Sequence, residues 1–99
     1  MSSDLIGFDP PKSEKNERGR GFGFLYAARV FLGPTIERED ARRDYGEERI
    51  IALGQVEGLV FAVVYTWRTT DDGEPMRWII SARRADRQER RVYEAFFPG

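Results

Sequence analysis

The 99-residue chain contains no cysteine and no histidine. The first absence removes disulfides, thiolate nucleophiles and cysteine-bound metals together. The second takes away the usual acid–base group near neutral pH and the commonest zinc ligand. Ser81 therefore has no histidine to activate it, which excludes a serine hydrolase. No apolar run is long enough to span a membrane, and Met1–Phe8 lacks the basic start and apolar core of a signal peptide. These absences predict a cytoplasmic protein with no membrane partner and no metal. Lysine is scarce as well: of 16 basic residues only Lys12 and Lys15 are lysines, and the rest are arginine. Arginine offers a planar fork of donors that grips phosphate or carboxylate in two places and stacks on bases.

What is present suits one compact domain over 1–99, since a second core would leave too little apolar surface for either. Apolar residues make up 40% and aromatics 13% of the chain. Charged residues reach 33%, but the net charge is −1. No general attraction to polyanions follows, so nucleic-acid binding must rest on local patches.

Leu5–Phe8 can open a sheet, and Asp9-Pro10-Pro11 reads as a helix start. A polar helix is predicted over Lys12–Arg18, ending in Gly19 and Gly21. A second helix runs from Gly23 to Leu32, with Phe24, Ala27, Ala28 and Phe31 on one buried stripe, until Gly33-Pro34 stops it. Thr35–Glu39 reads as an edge strand and Asp40–Glu48 as a charged loop. Strands follow over Arg49–Gly54, Leu59–Thr69 and Met76–Arg83, with turns at Gln55–Gly58 and Thr70–Pro75. Leu59–Thr69 is apolar on both faces, as a central strand should be. Asp86, with Glu89 in capping-box spacing, opens a last helix that turns Val92, Tyr93 and Phe96 inward. Helices, an antiparallel meander and a terminal helix make an α+β domain.

Six arginines fall between Arg77 and Arg91 against the acids Asp86 and Glu89. Strict alternation would put Arg77, Ile79, Ser81 and Arg83 on one strand face, with Trp78 and Ile80 on the other. Arg68 can join this surface, and Tyr65, Trp67 and Trp78 can supply base stacking. Two readings stay open, an RNA-binding surface and an ordinary solvated helix face above core aromatics. The acidic stretch Glu37–Glu48 lacks the spacing of a calcium loop and reads as a solvated loop. Gly19–Gly23 lacks the preceding strand and the lysine of a phosphate loop.

Three segments together resemble one family. "FDPPKSEKNERGRGFGF" (Phe8–Phe24) followed by "AARVFLGP" (Ala27–Pro34), "GEERIIALG" (Gly46–Gly54) and "RWIISARRADRQERRVYE" (Arg77–Glu94) are similar, in colinear order, to BrnT toxins. The resemblance implies a RelE-like fold, with N-terminal helices and a C-terminal helix packed on a twisted antiparallel sheet. It implies a translation-inhibiting ribonuclease of a type II toxin–antitoxin system that needs no cofactor. The implied partners are RNA and a ribbon-helix-helix, BrnA-like antitoxin, with operator DNA reached only through the antitoxin complex. The family pattern reaches Lys12, Asn16, Arg49, Arg77, Ser81, Arg83, Glu89, Arg90 and Tyr93.

Arg20 stands where the family commonly has a histidine, and a guanidinium cannot act as a base. On this reading Arg49, Arg68 and Arg83 stabilise the phosphorane charge. Glu48 or Tyr65 transfers the proton, and Arg20 occupies the remaining catalytic position. Lys12, Arg77, Arg87, Arg90 and Arg91 hold the RNA backbone. The alternatives are a catalytically inactive toxin-like protein that binds its antitoxin, and a plain RNA-binding module.

Overall fold

In the computed structural model, residues 5–98 are described. Residues 1–4, which open the segment read above for a leader, lie outside the described residues, as does residue 99. The elements are β1 (Ile6–Phe8), α1 (Pro10–Arg20), α2 (Phe24–Ala27), a 3-10 helix (Ala28–Leu32), β2 (Ile36–Glu39), β3 (Ile50–Val56), β4 (Leu59–Thr69), β5 (Pro75–Arg84) and α3 (Arg87–Phe96).

The five strands form one sheet in the order β1-β5-β4-β3-β2. β4, apolar on both faces, lies at its centre. The sheet is mixed, which corrects the expectation of a purely antiparallel one. β1 pairs with β5 in parallel, Gly7 opposite Trp78, while the other three pairings are antiparallel. The cause is α1: the chain leaves β1 through a helix before the meander begins, so β1 is not bound to the antiparallel sense of a tight hairpin.

Helices cover both faces. Beneath α2 and the 3-10 helix lie Phe61, Val63, Ile79 and Ala82, packed with Phe24, Ala27, Ala28 and Val30. Gly54 permits this approach, because a Cβ there would meet Val30 Cβ at 2.5 Å. Beneath α3 lie Ile51, Leu53, Val60, Ala62 and Val64, with Tyr93 inserted among them. Of the three residues expected to face inward from α3, only Tyr93 is buried; Val92 and Phe96 are exposed. Tyr93 also donates its hydroxyl to Pro34 O at 2.9 Å, tying α3 to the opposite layer. The helix begins as expected: Asp86 accepts from Glu89 N at 2.8 Å, and Glu89 accepts from Asp86 N at 2.9 Å. Among the described residues no helix is long and apolar enough to cross a membrane.

Candidate RNA-processing site

The two faces of the sheet divide the predicted site residues, and a β-bulge decides how. Tyr65 pairs with Ile79 but Val64 pairs with Ser81, so Ile80 is an extra residue in β5. An inserted residue breaks the period of two. Arg77 and Ile79 therefore belong to the α2 face, whereas Ser81 and Arg83 belong to the α3 face beside Val64 and Ala62. This corrects the single arginine-bearing face expected from simple alternation.

On the α3 face, beside the start of β3, Glu47 lies between two arginines. Its Oε2 accepts from Arg49 Nε and Nη2, each at 3.3 Å, and its Oε1 is 3.9 Å from Arg68 Nη2. Each guanidinium is backed by a ring: Arg49 lies 4.0 Å from the Tyr45 centroid and Arg68 4.5 Å from that of Trp78. Such stacking fixes a flat cation without consuming its in-plane donors. The three charged side chains are 25%, 45% and 32% exposed for Arg49, Arg68 and Glu47. They are held in place and still reachable. Gly7 makes room for Trp78, since a Cβ there would lie 2.9 Å from its ring.

The loop that carries Glu47 folds around a buried carboxylate. Asp40 takes both Arg42 Nε at 2.7 Å and Arg42 Nη2 at 2.8 Å, and accepts from Tyr45 at 3.3 Å. The Arg42 hydrogen bonds hold the Asp40 carboxyl well below the usual carboxylate range. Asp40 N donates to Arg49 O at 2.7 Å, and Thr66 Oγ1 donates to Glu48 O at 2.7 Å, so the backbone on either side of the cluster is pinned. Glu48 contributes its carbonyl, and its side chain is exposed to solvent. Among the described residues no three carboxylates converge as metal ligands would.

Arg83 has a different neighbour. Glu89 grips it in two places, at 2.7 and 2.9 Å, with the carboxylate only 11% exposed. The pairing lowers the Glu89 pKa and raises that of Arg83. Arg83 thereby fastens α3 to β5. Along α3 itself, Arg87, Arg90 and Arg91 are exposed and lie at i, i+3 and i+4.

The α2 face collects the remaining aromatics. The Arg77 guanidinium lies 4.4 Å from the Phe31 ring, 4.9 Å from Trp67 and 5.4 Å from Tyr65. Tyr65 is 2% exposed and donates a short hydrogen bond to Glu37. Burial first, and then that hydrogen bond, push its hydroxyl up to about 12. Neither Tyr65 nor Arg77 shares a face with Glu47.

Arg20 and Lys12 lie at the β5 edge. Beyond the three residues that β1 covers, Arg20 Nη1 donates to Ala82 O at 2.9 Å and to Asn16 Oδ1 at 3.0 Å. Arg20 closes the sheet edge here and does not reach into the Glu47 cluster. Of the residues proposed for catalysis, then, the fold unites Arg49 and Arg68, adds the unforeseen Glu47, and disperses Arg20, Glu48, Tyr65 and Arg83. In the sequence Glu47 stands two residues before Arg49 in a bend after Gly46, and the fold brings both beside Arg68.

Residues 8–89 match a family model described as ribonuclease toxin, BrnT, of type II toxin–antitoxin system. No curated protein matches the chain as a relative.

Proposed function

The chain belongs to this BrnT family of ribonuclease toxins of type II toxin–antitoxin systems, which implies an antitoxin partner, and on that premise we propose that it cleaves RNA at the Glu47–Arg49–Arg68 cluster. The observation that carries the proposal is a reachable carboxylate flanked by two arginines, each steadied by an aromatic ring. The Glu47 carboxylate accepts the proton of a ribose 2′-hydroxyl, and the 2′-oxygen attacks the adjacent phosphorus. The P–O5′ bond breaks, leaving a 2′,3′-cyclic phosphate, and the departing 5′-oxygen takes a proton from water. Arg49 and Arg68 offset the charge that grows on the phosphorane oxygens. No step requires a metal or a histidine. That position 20 serves the sheet edge supports activity with arginine in place of the family histidine.

On this reading Arg87, Arg90 and Arg91 attract the backbone, cleavage of messenger RNA arrests translation, and a ribbon-helix-helix antitoxin restrains the toxin. The test is cleavage of single-stranded RNA by purified protein, comparing Glu47→Gln with Glu48→Gln. We expect Glu47→Gln to lower the rate at least about 100-fold, the scale of one general base, and Glu48→Gln to leave it unchanged. Wild-type rates in Glu47→Gln overturn the assignment.

A further inference from the structure

The only two lysines of the chain line one groove. Between α1 and the open part of β5 lies a cleft of about 420 Å³ walled by Lys12, Lys15, Asn16, Gly19 and Arg20 on one side and Ile80 and Ser81 on the other. The α1 residues fall at i, i+3, i+4, i+7 and i+8, a single helical stripe. Glu14 and Glu17, the two acids of the helix, are not on it. The groove thus gathers three cations and no carboxylate.

Arg29, Arg42, Arg49, Arg68 and Arg83, by contrast, are each paired with an acid, while Arg87, Arg90 and Arg91 stand in solvent along α3. Lys12 and Lys15 form no ion pair among the described residues, and the Ser81 hydroxyl makes no hydrogen bond among them. Lysine is a compact, mobile point charge suited to phosphate oxygens, whereas the arginines here are held flat by rings and carboxylates. The bulge turns Ser81 to the α3 face, the face of the catalytic cluster. Trp78 and Ser81 pair with Thr66 and Val64, two residues apart on β4, so at about 3.3 Å per residue Ser81 lies about 7 Å along the sheet from Trp78, on which Arg68 rests.

We infer that this groove is a backbone subsite for the phosphodiesters flanking the scissile bond, so that RNA runs from the Glu47 cluster past Trp78 into the α1–β5 cleft. The inference rests on the RNA-cleavage reading and adds the track the strand follows. Two lysines on two phosphates contribute to affinity through counterion release, with a salt slope of about 0.7 per contact for a single strand.

The experiment measures binding of a fluorescent single-stranded RNA 12-mer against salt for the wild type and for Lys12→Gln/Lys15→Gln. Both side chains are exposed, and an unchanged circular dichroism melt confirms the fold. The variant should lower the slope of log affinity against log salt by about 1.4, the loss of two such contacts. It should also raise KM for the 12-mer by a larger factor than it changes kcat. An unchanged slope, with the wild type binding normally, overturns the groove whether or not the RNA is cut. Binding without cleavage by the wild type sinks the catalytic reading and leaves the slope to judge the groove. Full displacement of the 12-mer by inorganic phosphate at equal phosphate concentration identifies a small-anion pocket and overturns the track.

Discussion

The two faces of the sheet use the same residue types to different ends. Each joins arginine, aromatic rings and a glutamate. On the α2 face, Arg77 sits among Phe31, Tyr65 and Trp67, and the tyrosine that meets Glu37 is almost wholly buried. On the α3 face, Arg49 and Arg68 each rest on one ring, and Glu47 between them remains open to solvent. Burial withdraws the Tyr65 hydroxyl of the first cluster from solvent, although Trp67 beside it is 42% exposed and Glu37 is exposed. Partial exposure leaves the second preorganised and able to meet a substrate, the condition that electrostatic stabilisation of a transition state requires.

That contrast can be broken experimentally. A large effect should come from Arg68→Ala, which removes one of the two cations proposed to stabilise the phosphorane and should slow RNA cleavage by roughly 100- to 1,000-fold while thermal stability changes little. Arg77→Ala should do the reverse. The lost ring stacking and the void it leaves should cost about 2–3 kcal/mol of folding stability, read from urea melts, with activity per folded molecule retained. A stable but inactive Arg77→Ala would dissolve the division between the faces.

Glu89→Gln should have a smaller effect, about 1–2 kcal/mol, since it weakens both the Arg83 pairing and the cap of α3. It also carries a pH signature. The folded-state pKa of Glu89 is lowered by Arg83, so below the usual glutamate range the unfolded chain binds more protons than the folded one. The stabilisation is present above that range and lost as pH falls through it. Asp40, lowered by Arg42, adds to the same acid loss. The wild-type melting temperature should therefore drop on acidification below about pH 5, and the Glu89→Gln curve should be flatter. Parallel curves would remove Glu89 from the account.

Much of this architecture was legible locally. The capping box at Asp86 and Glu89, the central apolar strand and the stop after Leu32 all follow from neighbouring residues, whereas α1 starts at Pro10 and continues through Gly19 to Arg20, past the expected end at Arg18. The second helix formed as α2 followed by a 3-10 helix within the predicted bounds, with Phe24, Ala27 and Ala28 buried as expected and Val30 buried where Phe31 was expected, Phe31 being only partly covered. The rest depended on tertiary context. The parallel pairing of β1 arises between segments some seventy residues apart, and no local pattern specifies it. The bulge at Ile80 is invisible to alternation, because Ile79 and Ile80 are equally apolar and either can face a core. One inserted residue was enough to separate Arg77 from Arg83. Glu47 lies in a bend before β3, and its approach to Arg68 joins residues some twenty apart, which local pattern does not specify. The hydrogen bond from Arg20 to Ala82 O joins residues sixty-two apart, a pairing that no neighbouring residue specifies.

The most direct test sets one hydroxyl against one carboxylate. RNA cleavage per folded molecule should be measured side by side for Tyr65→Phe and Glu47→Gln, with 2′,3′-cyclic phosphate ends quantified. The account predicts near wild-type cleavage by Tyr65→Phe, with a stability loss of about 1 kcal/mol, and almost none by Glu47→Gln. Active Glu47→Gln beside inactive Tyr65→Phe would move the chemistry to the α2 face and contradict the assignment.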